Sequence, residues 1–191
     1  DKGGLYTVTV TATRGNGCSA KDSTYVELLF YDVGVDSLIH PTDHCGLSAH
    51  EYITLRIRNY GTDSIPAGQK MKAAFKLNNG APVVDTFYLA NTLYSKHTLI
   101  HTFTVGPVDL SAKGIYNFKL YADYMGDTVN YNDTIVRSIE MYGYPTANLG
   151  PDRTIQALDY ELDAGTGYID YLWDNGATTQ KRTITETGTY W

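Results

Sequence analysis

Hard oxygen donors are concentrated in the segment GDTVNYND, residues 126–133. Asp127, Asn130, Asn132 and Asp133 offer carboxylate and amide oxygens, which are the ligands that Ca²⁺ takes in proteins. Their spacing is not that of an EF-hand, and Asn and Asp side chains also cap their own backbone in hairpin connections. The pattern therefore favours a structural connection, with calcium as the alternative. We expect no other cofactor.

Tyrosine is the second chemical feature, with 17 residues in the chain. Tyr121, Tyr124 and Tyr131 lie close together in the sequence, and a flat exposed row of such rings stacks on sugars. Tyrosine is also a good strand residue with a polar tip. That structural interpretation is the one we favour, with glycan stacking as the alternative.

Patterns typical of catalysis are missing from the sequence. It has no G-x-S-x-G segment, and Cys45 beside His44 is only a sequence neighbour, since adjacent strand residues point to opposite faces. The carboxylates are dispersed among turns rather than paired for glycoside hydrolysis. The net charge of −6 is scattered, which argues against a nucleic-acid partner. No apolar run reaches the length of a membrane-spanning helix, about 18 residues. We predict a protein that is not an enzyme.

The elements that would position these residues are β-strands. Runs rich in Tyr, Thr and Val alternate with turn signals, which is typical of β-sandwiches. We predict an all-β fold of immunoglobulin-like sandwiches in tandem, one complete and two partial. Residues 1–28 are the last strands of a preceding repeat, because two strands cannot bury a face alone. Residues 29–143 form the complete sandwich, and residues 144–191 are the first part of a following repeat.

Alternation predicts the inward faces of the complete sandwich. One strand places Ile53, Leu55 and Ile57 on one face, and the others align the triplets Leu99, Phe103, Val105 and Tyr116, Phe118, Leu120. Asn79-Gly80 predicts a hairpin turn in which glycine takes the positive φ. In the last segment, Tyr171 and Trp173 share a strand face. Cys18 and Cys45 lie in turn-like contexts and appear to belong to different domains, which disfavours a disulfide.

The last segment resembles a known family. NLGPD, LDAG, YLWDNGATTQ and GTY follow in the order found in immunoglobulin-like repeats related to PKD domains, from long secreted proteins of some Gram-negative bacteria. The remaining elements of that pattern, a V-T-V run and an NGC turn, occur at residues 8–10 and 16–18. Gln156 stands where the repeat usually has a second cysteine.

The middle segment, about 32–143, resembles the CARDB-like adhesion or spacer module. The resemblance lies in CGLSAHEYITLRIRNYG, KLNNGAP, DLSAKGIYNF and GDTVNYNDTI. Both families imply structural or adhesive modules of extracellular or cell-surface proteins exported across the outer membrane. Asp-Ser/Thr-aliphatic or Asp-Ser/Thr-Thr triplets also resemble the O-glycosylation acceptors of some of these bacteria, which implies modification at Ser23, Ser37, Ser64, Thr128 and Thr134.

The resemblances imply a non-catalytic structural or adhesive spacer within a large secreted or surface protein. The alternative is an accessory carbohydrate-binding module attached to a polysaccharide-degrading enzyme. Expected partners are neighbouring domains of the same polypeptide and a surface glycan or protein. Because Gly188-Thr189-Tyr190 superposes on Gly4-Leu5-Tyr6, we also predict intermolecular strand complementation between residues 5–28 and 144–191.

Overall fold

The computed structural model describes residues 4–188, and all of its regular elements are β-strands. The chain divides into two compact units, Asp1–Gly143 and Tyr144–Trp191. The strands of the first unit are β1 Gly4–Thr13, β2 Ser19–Leu28, β3 Val33–His40, β4 Thr54–Asn59, β5 Lys70–Leu77, β6 Val83–Tyr88, β7 Thr98–Thr102, β8 Gly114–Tyr124 and β9 Thr134–Met141. The second unit contains β10 Tyr160–Asp163 and β11 Lys181–Ile184. Within residues 4–188 no helix is long and apolar enough to cross a membrane.

Seven strands of the first unit form a sandwich. One sheet has the order β3-β4-β7 and the other the order β6-β5-β8-β9, with all pairs antiparallel. Three hairpins, β3–β4, β5–β6 and β8–β9, therefore stay within one sheet, while the chain crosses between the sheets after β4, β6 and β7. Two antiparallel sheets of this size packed face to face define an immunoglobulin-like sandwich. The predicted all-β fold is confirmed in this coarse form.

The core lies between the two sheets and follows the predicted alternation. Ile53, Leu55 and Ile57 are fully buried, as is Phe118 on β8. The ring of Phe75 packs edge-on against Phe103 at 4.9 Å between centroids and lies 6.3 Å from Phe118. Aromatic rings from β5 and β8 and from the segment just after β7 thus join the two sheets, and such contacts add to the free energy of area burial.

Two details of the sandwich differ from the sequence prediction. In the β5–β6 turn, Asn78 (φ 47°) and Asn79 (φ 62°) take the positive φ, while Gly80 does not. Asparagine tolerates this left-handed region, so the turn begins one residue earlier than predicted. Val105 is exposed because β7 ends at Thr102, before the alternation reaches it.

Strands β1 and β2 form a two-stranded antiparallel hairpin. It joins the sandwich through the segment Leu29–Asp32, where the Thr62 hydroxyl donates to the Leu28 carbonyl oxygen and accepts from the Phe30 N–H. Every residue from 5 to 29 is exposed. The hairpin therefore contributes nothing to the buried core of the sandwich.

Residues 144–188 of the second unit contain one two-stranded sheet, in which Tyr160 pairs with Ile184 and Leu162 with Arg182. The segment DYLWDNG, predicted as a strand, is instead a turn in which the Gly176 N–H donates to the Trp173 carbonyl and the Trp173 N–H donates to the Ala177 carbonyl. Among residues 144–188 none is fully buried. Thr189 and Tyr190, used in the predicted superposition, lie outside the described residues.

Candidate functional site

The oxygen-rich segment 126–133 leads from β8 into β9 and lies against the beginning of β3. The Val35 N–H donates to the Asn132 carbonyl (3.3 Å), and Tyr31 forms a parallel bridge with Asp127. Gly34 has no room for a side chain here, since a Cβ would lie 2.6 Å from the Asn132 carbonyl oxygen. The segment thus fastens the first strand of the sandwich to the last.

Asp127 supplies two of these fastening contacts. Its Oδ2 accepts from the Val33 N–H (2.5 Å), and its Oδ1 accepts from the Val129 N–H (2.7 Å). Burial raises the pKa of the Asp127 carboxyl, while the two N–H donors oppose this shift. Both carboxylate oxygens therefore already bind backbone donors.

Asn132 is held by a buried residue that the sequence analysis did not single out. Its Nδ2 donates to Asp32 Oδ1 at 2.6 Å, and Asp32 lies in the connection just before β3. The Asn132 Oδ1 atom is buried and has no hydrogen-bond partner among the described residues. Asp32 gave no sequence signal because it stands alone in an apolar stretch, 100 positions before its partner.

Asp133 is the most perturbed carboxyl of the segment. Burial raises its pKa to about 6, and the negative charges of Asp127, Asp123 and Asp32 add to the shift. Its Oδ1 atom is buried without a hydrogen-bond partner among the described residues. A carboxylate in this position is therefore held at a cost to stability at neutral pH.

The four predicted calcium ligands differ in their contacts and in their burial. Asp127 and Asn132 contact the β3 side, Asp133 is partly buried beside them, and Asn130 is exposed. Within the part of the chain that the structure describes, no three His, Cys, Asp or Glu side chains are grouped as ligands of one ion. Calcium binding at this segment stays a prediction.

The three tyrosines proposed for glycan stacking lie apart. Tyr124 is buried, and its ring packs edge-on against Tyr31 at 5.3 Å. Tyr121 points to the opposite face of β8, where Lys119 Nζ lies 5.3 Å from its ring, and Tyr131 is exposed in the loop. The positions differ by three on one strand, so Tyr121 and Tyr124 cannot form a flat row. Tyr124 also lacks the exposed face that stacking needs.

The candidate O-glycosylation residues differ in exposure. Ser23 on β2 and Thr128 in the acidic segment are exposed, whereas Ser64 and Thr134 are half-buried. The hydroxyl oxygen of Ser37 on β3 is buried, so a glycan there would have to be attached before folding. Cys18 and Cys45 are both free thiols.

The sequence analysis also did not single out His101, whose side chain is mostly buried. His101 stacks on Phe87 at 4.0 Å between ring centroids and pairs with Asp85 at 3.1 Å, with its side chain only 11% exposed. Burial lowers the pKa of His101 more than Asp85 raises it. The alternation of β7 was the available signal, since it places His101 on the same face as Leu99.

Comparison with solved structures returned matches at low identity. The CARDB domain of a Pyrococcus furiosus protein, in complex with di-metal ions, is 17% identical over 62% of this chain and 100% of that chain, with a TM-score of 0.44. A beta-glucosidase from Listeria innocua in complex with glucose is 11% identical over 62% of this chain and 17% of that chain, with a TM-score of 0.31. Both TM-scores are below 0.5, so the class, an immunoglobulin-like β-sandwich module, rests on the strand order of this chain. No family model and no curated protein matches the sequence.

Proposed function

We propose that the chain is a non-catalytic spacer module of a large secreted or cell-surface bacterial protein. The observation that carries the proposal is the parallel course of the first and last strands of the sandwich. At the beginning of both strands the Val35 N–H donates to the Asn132 carbonyl. At their far end the His44 N–H donates to the Glu140 carbonyl (3.2 Å). The polypeptide therefore enters at one end of the sandwich and leaves at the opposite end.

The points at which the chain enters and leaves the sandwich are therefore separated along the length of its strands. The eight residues of β9 correspond to roughly 25 Å at the usual rise of a strand. The exit is fastened as well, since the Tyr142 N–H donates to the His44 carbonyl (3.1 Å) and the Glu140 N–H donates to Asp43 Oδ1 (2.8 Å). A pull on both ends would shear the contacts that link β3 to β9, which is the geometry of a load-bearing module.

Single-molecule force spectroscopy on the full chain tests this proposal. Unfolding residues 33–141 should release roughly 350 Å of chain in one step, because each extended residue spans about 3.4 Å. Asp127→Ala removes the acceptor of the Val33 N–H and should lower the unfolding force. Asp109→Ala, which removes a local contact to Ser111 on an exposed loop, is the matched control. A sandwich that extends without a force peak, or an Asp127→Ala variant as strong as the control, would contradict the load-bearing role.

The acidic segment fits this role as a structural connection rather than a cation site, because both oxygens of the Asp127 carboxylate already accept hydrogen bonds from backbone N–H groups.

The alternative function, carbohydrate binding, is tested on a glycan array. Specific binding that is lost in Tyr131→Ala, but retained in a variant of a tyrosine outside the segment such as Tyr88→Ala, would favour the carbohydrate-binding module over the spacer.

A further inference from the structure

The outer face of the sheet β6-β5-β8-β9 carries an excess of positive charge, although the net charge of the chain is −6. Alternation turns Phe75 on β5 and Phe118 on β8 inward, so the residues at the intervening positions of these strands point outward. In the described strands, the outward positions hold four lysines and two carboxylates. We call this surface the lysine face, and its charged side chains are Lys70, Lys72, Lys76, Lys119, Asp123 and Glu140.

Two of these lysines are directly opposed, and we call them the lysine pair. Lys76 on β5 lies opposite Lys119 on β8. The Cβ atoms of such residues are about 5 Å apart, and like charges placed opposite each other destabilise a sheet. On its other side Lys119 lies opposite Val136, which has no charge. Within residues 4–188 neither ammonium group forms an ion pair, so the described chain supplies no counter-ion to the lysine pair.

The two carboxylates of the lysine face lie away from the lysine pair. Asp123 is four residues along β8 from Lys119, about 13 Å at the usual rise of a strand. Its Oδ2 lies 3.7 Å from Lys72 Nζ, so it neutralises a different lysine. Glu140 is four residues along β9 from Val136, which again corresponds to about 13 Å. An anion from outside the chain would therefore be the group that neutralises the lysine pair.

A row of apolar surface lies beside the lysine pair. Val84, Ala74 and Tyr121 are neighbours across β6, β5 and β8. Ala74 is 7% exposed and Val84 is 46% exposed, so the short alanine side chain forms a low floor between two larger ones. Lys119 Nζ lies 5.3 Å from the centroid of the Tyr121 ring. A ring resting over Ala74 would contact carbon atoms about 7 Å, or two residues, from Lys76.

Polar groups border the lysine pair on the opposite side. Asn117 is two residues from Lys119 on β8, and it lies opposite Ser138 on β9. The Ser138 hydroxyl donates to Asn117 Oδ1 (2.6 Å), and the Asn117 side chain is exposed. The two N–H groups of Asn117 Nδ2 can therefore donate to a ligand. From one side to the other, the surface offers an apolar floor, two ammonium groups and an amide donor.

This order of groups favours a polysaccharide of uronic acids over other polyanions. Duplex nucleic acid carries one charge for about every 1.7 Å of its axis, which a few separated lysines on an acidic chain cannot follow. An acidic polypeptide carries its carboxylates on flexible side chains and brings no ring to the floor at Ala74. In a uronic acid the carboxylate is bonded directly to the sugar ring. A ring on that floor can therefore direct its charge to the lysine pair and its hydroxyl groups to Asn117.

We propose that the lysine face binds an anionic polysaccharide of uronic acids, with one carboxylate held between Lys76 and Lys119 and its sugar ring beside Tyr121. Lys70 lies six residues from Lys76 along β5, about 20 Å away, where it meets a second carboxylate further along the same polymer. This goes beyond the spacer role and does not depend on it. It also uses a different surface from the loop that contains Tyr131.

Isothermal titration calorimetry of the full chain with polygalacturonate tests the proposal. Two other probes separate the contributions, since neutral dextran has sugar rings without charge and poly-glutamate has carboxylates without sugar rings. Polygalacturonate should bind at low salt and should be released as NaCl is raised, because salt screens contacts between exposed charges. Neutral dextran should not bind, and poly-glutamate should bind about tenfold more weakly than polygalacturonate.

A matched pair of variants places the binding on the lysine face. Lys119→Gln should weaken polygalacturonate binding about fivefold, the upper range for one exposed ion pair. Lys21→Gln makes the same change of charge on β2, opposite Thr11, and should weaken binding by less than about twofold. Without polysaccharide, Lys119→Gln should unfold at the same temperature as the wild type or a higher one, because it removes one of two opposed like charges. Weaker binding then cannot result from unfolding.

Three outcomes would overturn the proposal. The first is a wild type that does not bind polygalacturonate. The second is equal weakening by Lys119→Gln and Lys21→Gln, which would show that overall charge decides. The third is binding of poly-glutamate or dextran sulfate as tight as that of polygalacturonate, which would indicate a general surface for anions. None of these outcomes affects the spacer role, because the force measurement with Asp127→Ala does not involve the lysine face.

Discussion

Replacing Asp133 by Asn should stabilise the sandwich at neutral pH and leave it nearly unchanged in acid. The folded state raises the pKa of Asp133 from 3.8 to about 6, so it holds the proton more tightly than the unfolded chain. The carboxyl is mainly neutral in both states only below about pH 3. Between about pH 4 and 6 the unfolded chain ionises first, and the free energy of unfolding falls as the pH rises.

The size of the effect follows from the shift. A difference of about two pKa units corresponds to about 3 kcal/mol if the carboxyl is fully shielded from water. Part of the Asp133 side chain faces solvent, which reduces the expected loss to about 1 kcal/mol at pH 7. Asp133→Asn removes the charge, so it should raise the free energy of unfolding by about 1 kcal/mol at pH 7 and by much less at pH 4.

Urea unfolding at both pH values, followed by circular dichroism, measures the effect. The quantity to compare is the stabilisation by Asp133→Asn at pH 7 minus that at pH 4, because this difference cancels the steric effect of the substitution. Asp123→Asn removes one of the charges that raise the pKa of Asp133 and should give a smaller change of the same sign. Equal effects at both pH values, or an Asp133 carboxyl that titrates at or below pH 4 by NMR, would refute the reasoning. If millimolar Ca²⁺ stabilised the wild type but not the Asp133→Asn variant, the segment would instead be a cation site.

Two further predictions concern the buried polar groups. Asn59→Ala should lower the free energy of unfolding, measured with heat or urea, by roughly 2–4 kcal/mol. The reason is that Asn59 is fully buried, donates to the Asp63 and Leu93 carbonyls and accepts from the Gly61 N–H. Asn130→Ala, an exposed control, should change the free energy of unfolding by less than about 0.5 kcal/mol. The wild type should lose stability as the pH falls below about 6.5, because the unfolded chain protonates His101 at a higher pH than the folded chain does. His101→Phe should reduce this loss. An unchanged dependence of the free energy of unfolding on pH between about pH 7 and 5 would contradict the prediction.

Local alternation predicted the inward-facing residues of β4 and β8. The period of two in β4 and β8 assigns Ile57 and Phe118 to the interior without any knowledge of their partners, because side-chain direction depends only on the strand itself. The same rule separates Tyr121 from Tyr124, which share a strand but differ by three positions. Their grouping as a sugar-binding row followed closeness in sequence instead of strand parity, and the structure separates them.

Contacts across a hundred positions could not be predicted in this way. Asp32 meets Asn132 only because β3 and β9 run side by side at the edges of two different sheets. No local pattern encodes that proximity, so the acidic segment looked like a free donor cluster. The turn at Asn78-Asn79 shows a smaller version of the problem, since asparagine and glycine both accept positive φ and the sequence allowed two registers.

The sandwich and its flanks differ in how completely they bury their apolar side chains. The sandwich buries the inner faces of both of its sheets, and hydrogen bonds hold the chain where it enters and where it leaves. This geometry supports the proposed spacer role. The hairpin and the second unit share the alternating apolar pattern of that sandwich, yet within residues 4–188 each holds one two-stranded sheet. Two strands cannot cover an apolar face in water.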